Sequence, residues 1–305
     1  MSPEQKIAQP TILVTGKNGQ VGWELQRSLL PLGRVIAVDR KQMDLSDAES
    51  VRKLIQDIKP DIIVNAAAYT AVDKAEEERD LAYQVNAITP GVMAEEARKL
   101  GALLIHFSTD YVFNGEKTSS YTEADQPSPI NVYGASKLDG EQAIQSSGCH
   151  YLIFRTSWVF SSRGHNFLLS MLRLAREREE LRIVADQTGS PTSARYIADA
   201  TAHILSRTTP GLLAGSFESG LYNMTSAGLT SWHGFASAII DSASNLMTEH
   251  NFKVKSILPI TTAEYPVPAR RPANSQLSNQ RLAERFSISV PRWQVQMELC
   301  IADVI

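Results

Sequence analysis

Short apolar runs alternate with helical patterns through the first half of the chain, and this alternation restricts the chain to few folds. Strands are predicted at 11–14, 34–38, 61–64, 102–107 and 151–155. Helices are predicted between them, at 21–30, at 47–58, in a long stretch that ends at Gly101, and at 138–146. Because β-α-β connections are nearly always right-handed, they place helices on both faces of a parallel sheet. The pattern predicts a doubly wound α/β fold whose ligands lie beyond the carboxyl ends of the strands.

The pattern loosens after about residue 160, which predicts a second, smaller α/β part. Its predicted elements are a helix at 167–177, a strand at 182–185, a helix at 195–206, a linker at 208–219 and a proline-rich loop at 259–272. We predict a dinucleotide-binding domain at 8–160, to which segments at about 182–207 return. Residues 161–181 and 208–305 are predicted to form the substrate-binding part.

Composition excludes several classes of protein. The chain has 30 Lys and Arg against 33 Asp and Glu, a net charge of −3, and no long basic run, which argues against nucleic-acid binding. Its two cysteines, Cys149 and Cys300, are far apart and outside any metal-ligand spacing, as expected in a reducing compartment. No apolar run is long enough to cross a membrane, and the first ten residues do not resemble a signal sequence. We therefore expect a cytoplasmic location.

A glycine turn joins the first predicted strand to its helix. Glycines at positions 16, 19 and 22 have the spacing G-x-x-G-x-x-G. Glycine permits a tight turn there and lets a pyrophosphate approach the amino end of the helix. The turn could be structural only, but its place between a strand and a helix predicts a dinucleotide site of the Rossmann type. The residues predicted to bind the cofactor in this turn are Gly16, Gly19, Gln20, Val21 and Gly22.

Two neighbours after the second predicted strand give opposite indications about the cofactor. Asp39 stands where an acid binds the adenosine ribose hydroxyls and favours NADH. Arg40 could instead bind the additional phosphate of NADPH. The sequence leaves the choice between the two cofactors open.

Tyr133 and Lys137 are four residues apart at the start of a predicted helix, so their side chains share one face. An unperturbed tyrosine has a pKa near 10, and a nearby ammonium group would lower that pKa towards neutrality. The pair could be a surface coincidence. However, Ser108 and Thr109 follow the fourth predicted strand at the same edge of the sheet, where a hydroxyl can bind a substrate carbonyl. Together these residues predict proton donation to a carbonyl oxygen.

Seven segments resemble the extended short-chain dehydrogenase/reductase family and, within it, the dTDP-4-dehydrorhamnose reductases. They are GKNGQVGWELQ, NAAAYTAVDKAE, STDYVFNG, NVYGASKLDGE, RTSWVF, GSPT and RPANSQL. They extend from Gly16 to Leu277 and so include the predicted substrate-binding part. The resemblance implies that hydride passes from the nicotinamide of NADPH or NADH to C4 of dTDP-4-dehydro-L-rhamnose. The product would be dTDP-L-rhamnose, a nucleotide sugar for cell-surface polysaccharides such as lipopolysaccharide.

The resemblance also implies roles for individual residues. Tyr133 would be the general acid, Lys137 would tune it and hold the nicotinamide ribose, and Thr109 would polarise the carbonyl. Residues implied around the adenosine are Asp39, Asp44 and Leu45, and those along the cofactor are Ala66, Ala67 and Ala68. Residues implied to contact the substrate are Ser108, Thr109, Asp110 and Trp158, although Trp158 could instead be part of the core.

One departure from the family concerns magnesium. Some members dimerise around a magnesium ion that is held by glutamates, one in the glycine-turn helix and one after the G-x-P-T turn. Glu24 is present here, but Arg195 occupies the later position, and a cation there would repel the metal. We therefore predict no metal site and a monomer or weak homodimer.

Two alternatives remain open at this level. A sugar epimerase or dehydratase of the same superfamily would share the glycine turn and the Tyr–Lys pair, and Asp110 could be its additional acid–base residue. A regulatory subunit like that of methionine adenosyltransferase would retain similar residues without needing catalysis. RTSWVF and RPANSQL favour the reductase over the first, and the Trp158 segment favours catalysis over the second.

Overall fold

A parallel six-stranded sheet forms the centre of the protein, as seen in a computed structural model that describes residues 9–213, 215–246 and 252–305. The first eight residues lie outside this description, including the predicted domain start at residue 8. Residue 214 of the predicted linker also lies outside it. The strands are β1 (Thr11–Thr15), β2 (Arg34–Val38), β3 (Ile62–Asn65), β4 (Leu103–Thr109), β5 (His150–Thr156), β6 (Val159–Phe160), β7 (Glu180–Val184), β8 (Thr188–Gly189), β9 (Thr192–Ser193), β10 (Gly220–Asn223), β11 (Thr230–Ser231) and β12 (Ser256–Ile260).

Helices cover both faces of this sheet and build the second half of the molecule. They are α1 (Gln20–Ser28), α2 (Ala48–Ile58), α3 (Val72–Ala75), α4 (Arg79–Tyr83), α5 (Thr89–Leu100), α6 (Val132–Ser146), α7 (Phe167–Glu177), α8 (Ala194–Leu213), α9 (Trp232–Leu246), α10 (Gln280–Phe286) and α11 (Trp293–Ala302). None of the helices in the described parts of the chain has the length and apolar character needed to cross a bilayer.

The strand order of the main sheet is β10-β5-β4-β3-β1-β2. The chain moves from β1 outward to β2 and then returns to β3 on the other side of β1, so the direction of winding reverses between β1 and β3. A crevice opens at such a switch point, beyond the carboxyl ends of the two strands. The predicted doubly wound α/β fold is confirmed, and its crevice lies between the ends of β1 and β3.

The three largest apolar cores of the described residues hold these layers together. One lies between the sheet and helices α1, α8 and α10, and includes Leu25, Ile197 and Leu282. The second lies on the opposite face, against α2 and α5, and includes Ile55 and Met93. The third fills the second half of the molecule with side chains from α7, α9 and α11. The crevice thus has the sheet on one side and, on the other, the second half of the molecule, which has its own apolar core.

Several sequence predictions differ from the structure, and helices α9, α10 and α11 were not predicted. The long helix predicted to end at Gly101 is divided into α3, α4, a π-helical turn and α5, although Gly101 does end α5 in a left-handed conformation. The linker predicted from residue 208 begins as helix, since α8 continues to Leu213. The hydroxyls of Thr208 and Thr209 donate to carbonyls of the preceding turn. β10 was not predicted, because its four residues are all buried and so show no alternation of polar and apolar side chains. β12 includes the first residues of the predicted proline-rich loop, because it pairs with β7.

The predicted division into two domains stays a prediction, and the packing suggests how to refine it. Within the segment 182–207, α8 packs on α1 against the main sheet, whereas β7 pairs with β12 outside that sheet. β10 and α10 belong to the main sheet and its core, although they fall in the predicted substrate-binding part.

Candidate active site

The glycine turn has the close contacts that its spacing predicts. Gly16 has φ +72°, in the left-handed region, and its carbonyl accepts a hydrogen bond from Gly19 N at 2.9 Å. A Cβ on Gly22 would lie 2.1 Å from the Gly16 carbonyl oxygen, so any side chain there would separate the helix from the turn. The turn therefore brings the amino end of α1 directly to the crevice.

A cavity of about 480 Å³ opens beside this turn. Its volume is in the range of small-molecule and cofactor sites. The predicted cofactor residues that line it are Gly16, Gly19, Asp39, Arg40, Asp44, Leu45, Ala67 and Ala68. Val21 and Ala66 pack instead against the core under the turn. The amide oxygen of Gln20 accepts hydrogen bonds from Ser161 Oγ and Asn166 Nδ2, both at 3.0 Å, and so ties the turn to the second half.

The acidic residues at the far end of this cavity have basic neighbours. Asp39 lies 3.3 Å from Lys17 Nζ and also accepts hydrogen bonds from Asn18 Nδ2 and Lys41 N. Arg40 Nε is 3.4 Å from Asp44, and its side chain is 77% exposed. The Asp39 carboxylate is therefore partly occupied, whereas the Arg40 guanidinium remains accessible to a ligand phosphate.

Tyr133 and Lys137 lie on the first turns of α6, as predicted. Asn131 caps this helix by accepting from Gly134 N at 2.7 Å, and its Nδ2 donates to the Arg270 carbonyl at 2.8 Å. Lys137 is 1% exposed and donates to the Phe107 carbonyl at 2.7 Å, and its Nζ lies 3.0 Å from His106 Nε2. The lysine is thus fixed by β4 beneath the crevice.

The acid–base properties of the pair differ from the expectation. Burial raises the pKa of Tyr133 to about 12, against the lowering effect of a hydrogen bond with the Thr109 side chain. Burial lowers the pKa of Lys137 to about 8, against the raising effect of Glu141. The expected lowering of the tyrosine pKa is therefore not present in the protein alone, because the lysine hydrogen bonds are directed to β4 and not to the phenol.

The carboxyl end of β4 supplies buried polar groups with free hydrogen-bonding capacity. Thr109 Oγ1 donates to Asp110 Oδ1 at 3.1 Å and accepts from Tyr111 N at 3.2 Å. Ser108 Oγ and Asp110 Oδ2 are buried without any hydrogen-bond partner. Burial raises the pKa of Asp110 to about 6, although the Thr109 hydroxyl, which donates to Asp110 Oδ1, opposes the shift. Buried polar groups are rarely left unpaired, and these two atoms lie at the carboxyl end of β4, the edge of the sheet where ligands bind in this fold.

Trp158 follows β5 at the same edge of the sheet. Its φ of +48° is unusual for a residue with a side chain, and its indole stacks on that of Trp232 with ring centroids 3.6 Å apart. A Cβ on Gly189 would lie 2.5 Å from the Trp158 ring, so the ring is held between α9 and the β8 backbone. The ring thus packs on the second half of the molecule at the edge of the sheet where β5 ends, and its contact with substrate stays a prediction.

Sequence reasoning missed several residues that hold the site together. His106 contacts Lys137, and Arg155 forms a buried ion pair with Glu141 at 2.6 Å, one helical turn beyond the lysine. Arg271 pairs with Asp73 at 2.7 Å and so anchors the C-terminal segment beside α3. These residues all lie within or next to the seven quoted segments, which was the available signal, but their pairing depends on contacts distant in sequence.

Arg195 and Glu24, the positions compared with the family's metal ligands, form an ion pair of 2.8 Å. Within residues 9–213, 215–246 and 252–305, no group of three or more His, Cys, Asp or Glu side chains is placed to hold a metal. The guanidinium therefore occupies the Glu24 carboxylate directly.

Comparisons with known proteins agree with this geometry over nearly the whole chain. The family model described as the RmlD substrate binding domain matches residues 10–305. A dTDP-4-dehydrorhamnose reductase of Burkholderia thailandensis is 54% identical over 294 residues, which are 96% of this chain and 99% of that protein. The enzyme of the same name from Escherichia coli K12 is 44% identical, over 96% of this chain and 97% of its own. A crystal structure of dTDP-4-dehydrorhamnose reductase from Bacillus anthracis in complex with NADP superposes with a TM-score of 0.86 at 37% identity, covering 97% and 99% of the two chains.

Proposed function

This chain belongs to the family of the RmlD substrate binding domain, and from that premise we propose that it reduces dTDP-4-dehydro-L-rhamnose to dTDP-L-rhamnose with NADPH or NADH. The observation that supports this most directly is at the end of β4. There the Thr109 and Tyr133 side chains lie beside two buried oxygens without partners, Ser108 Oγ and Asp110 Oδ2. We infer that a ketone oxygen takes hydrogen bonds from the two hydroxyls and that Asp110 accepts one from a hydroxyl of the same sugar.

The residues present fit the cofactor at the glycine turn, because Gly16 and Gly22 leave no room for side chains and the adjoining cavity is of suitable size. When bound, the reduced nicotinamide supplies the hydride that is added to C4. Tyr133 donates its phenolic proton to the C4 oxygen. The Thr109 hydroxyl, which donates to Asp110 Oδ1 in the protein alone, turns to donate a hydrogen bond to the same oxygen before the transfer. Lys137, charged, stabilises the phenolate that remains. Two of its hydrogen bonds are made with His106 and the Phe107 carbonyl on β4. A third can be made with the cofactor ribose.

We assign NADPH as the preferred cofactor. Lys17, Asn18 and Lys41 N already bind the Asp39 carboxylate, which reduces its capacity to bind ribose hydroxyls. Arg40 is mostly exposed at the rim of the same cavity, where a guanidinium can bind a phosphate with two hydrogen bonds. The substrate is a nucleotide sugar, and we propose a cytoplasmic enzyme that is a monomer or weak homodimer, without a metal.

The experiment that tests the activity follows the nicotinamide absorbance while NADPH or NADH is oxidised by freshly generated dTDP-4-dehydro-L-rhamnose. We expect rapid oxidation and dTDP-L-rhamnose as the product. Tyr133→Phe should fold and bind cofactor like the wild type but lose turnover by about 10²–10⁴-fold, the range of general acid catalysis. Retention of wild-type turnover by this variant would exclude the proton-donor role.

The two alternatives predict different outcomes in the same assay. An epimerase or dehydratase would convert a nucleotide sugar without net oxidation of NADPH. A regulatory subunit would bind the cofactor without consuming it and would co-purify with a larger enzyme. Either result from a folded, cofactor-binding protein would overturn the reductase assignment.

A further inference from the structure

Four buried side chains form a continuous hydrogen-bonded row under the site. Thr15 Oγ1 donates to Asn65 Oδ1 at 2.7 Å, Asn65 Nδ2 lies 3.0 Å from His106 Nδ1, and His106 Nε2 lies 3.0 Å from Lys137 Nζ. All four side chains are 1% exposed. Thr15, Asn65 and His106 are in-register partners on β1, β3 and β4, so the sheet itself aligns the row. Thr15 also lines the cofactor cavity, so the row connects that cavity with the lysine.

The hydrogen atoms in this row cannot be distributed freely. Burial, together with the charge of Lys137, holds the pKa of His106 well below its usual range, so the imidazole is neutral and has one N–H. If Asn65 donates to Nδ1, the proton of His106 is on Nε2, and Lys137 must accept it as a neutral amine. If Lys137 is an ammonium, it has only donors, so Nε2 must accept and the proton is on Nδ1. Asn65 must then present its amide oxygen to His106.

We propose that His106 is a positioning residue that fixes the charge of Lys137 through its tautomer, and that the amide orientation of Asn65 selects this tautomer. One orientation, with the Asn65 amide nitrogen towards His106, matches the neutral amine. Turning the amide by half a rotation matches the ammonium that the reaction needs. The Thr15 hydroxyl can follow this rotation, because a hydroxyl can donate to the amide oxygen or accept from the amide nitrogen. This inference rests on the proposed reductase function.

Other charged groups around Lys137 do not replace this control. Glu141, one turn later on α6, raises the pKa of Lys137 but is itself paired with Arg155 from β5. Tyr133 precedes the lysine on the same helix, and Asp110 acts on Tyr133. Among the described residues, His106 and the Phe107 carbonyl are the groups hydrogen bonded to Nζ. Of these two, only His106 can change from acceptor to donor.

The first test compares the pH dependence of kcat for His106→Leu and His106→Gln. Leucine offers no acceptor to the ammonium, so the alkaline limb of the profile should move down by about one pH unit, since a hydrogen bond to a charged group has an effect of that order. Glutamine can present an amide oxygen and should restore the limb to within a few tenths of a unit. Equal losses of kcat at every pH in both variants, with no movement of the limb, would show a merely structural role and overturn the proposal.

A second variant keeps the test valid if His106→Leu fails to fold. Asn65→Asp can only accept from Nδ1–H, which selects the ammonium arrangement, and its limb should move to higher pH. Thr201→Val is the matched control, because it removes a buried hydroxyl that donates to the Ile197 carbonyl within α8, outside the row. The alkaline limb of the control variant should coincide with that of the wild type. An equal shift of the limb in the control would show that the shift does not depend on the hydrogen-bonded row.

The tautomer can also be measured without turnover. Nitrogen-15 chemical shifts of the His106 imidazole distinguish Nδ1–H from Nε2–H in the resting protein and with NADP⁺ bound. We expect Nε2–H in the Asn65→Leu variant and Nδ1–H in Asn65→Asp. The same tautomer in both would overturn the proposal whatever the activity. If the two variants show the expected tautomers but the protein has no reductase activity, the proposed function is wrong and not the hydrogen-bonded row.

Discussion

The charged side chains at the two ends of the crevice differ in their exposure to water. At the open end, which we define by Lys17, Asp39, Arg40 and Asp44, the charged side chains are between 23% and 77% exposed and paired at 3.3–3.4 Å. At the closed end, defined by His106, Asp110, Lys137, Glu141 and Arg155, no residue is more than 3% exposed. Water screens the first group, whereas fixed protein partners replace water around the second.

The two ends therefore differ in which of their properties a substitution can change. A hydrated charge contributes little to stability, so the open end can change its residues, and with them its cofactor preference, at small cost to the fold. A buried charge depends on its partners, so the closed end couples the pKa values of catalytic groups to the stability of the whole sheet. Variants at the two ends should therefore differ in kind.

The largest effect is expected from Arg155→Met at the closed end. The substitution leaves the Glu141 carboxylate buried without its partner, and such losses typically cost about 3–5 kcal/mol of the free energy of unfolding. Urea denaturation measures this loss. The double variant Arg155→Met/Glu141→Leu removes both charges and should recover most of it. A loss below about 1 kcal/mol in the single variant would mean that the closed end tolerates an unpaired charge. The two ends would then not differ in the way described above.

Asp110 tests whether the closed end also sets the pH dependence. Burial raises its pKa to about 6, so the carboxylate that would accept a sugar hydroxyl is present above that pH and lost as pH falls through it. For the wild type we expect kcat/KM to decline below about pH 6. Asp110→Asn should lose this inflection and lower kcat/KM about tenfold at pH 7.5, the effect of one hydrogen bond to a charged group.

The control for this prediction is Asp125→Asn. Lys117 donates to the Asp125 carboxylate and holds its pKa at about 2, and the residue lies away from the end of β4. We expect its kcat/KM profile to coincide with that of the wild type. If Asp125→Asn removed the inflection as well, or if Asp110→Asn retained it, Asp110 would not be the titrating group.

The two ends of the crevice also differ in how far their structure could be predicted from the sequence. The open end depends on local geometry, a glycine turn and the residues after two strands. Gly16, Gly19, Asp39 and Arg40, which the sequence singles out, line one cavity, and their binding of a cofactor stays a prediction. The closed end depends on pairings between distant segments, such as Arg155 with Glu141 and Lys137 with His106. Neither pairing has a period or spacing that could reveal it, although both members of each pair lie near recognised segments.

The acid–base prediction failed for the same reason. Spacing alone places Tyr133 and Lys137 on one helix face, but it gives no information about what else binds the lysine. The pKa of Tyr133 is raised to about 12 because burial dominates and the Lys137 hydrogen bonds go to β4. Sequence reasoning could identify the pair and not the state of charge, since that state is decided by packing.

Arg40→Ala tests the open end, where function should change without loss of stability. If Arg40 binds the additional phosphate, kcat/KM for NADPH should fall about tenfold, equivalent to about 1.4 kcal/mol, while the value for NADH stays within about twofold. The unfolding free energy should change by less than about 0.5 kcal/mol, because the side chain is mostly exposed. Lys41→Ala, on the neighbouring residue, is the matched control. Equal losses with both cofactors would exclude a contact to the phosphate.

The last variant, Arg195→Ala, removes the partner of Glu24 outside the cofactor cavity. The Arg195 side chain is 60% exposed but that of Glu24 only 7%, so the loss of unfolding free energy should be about 1–3 kcal/mol, smaller than for the fully buried pair of Arg155 and Glu141. In the wild type the guanidinium occupies the carboxylate, so sedimentation should give the same oligomeric state in magnesium chloride and in EDTA. Arg195→Lys retains the positive charge and should behave like the wild type in both measurements. A magnesium-dependent dimer of the wild type would contradict this prediction, because it would require the metal to displace an arginine already bound to Glu24.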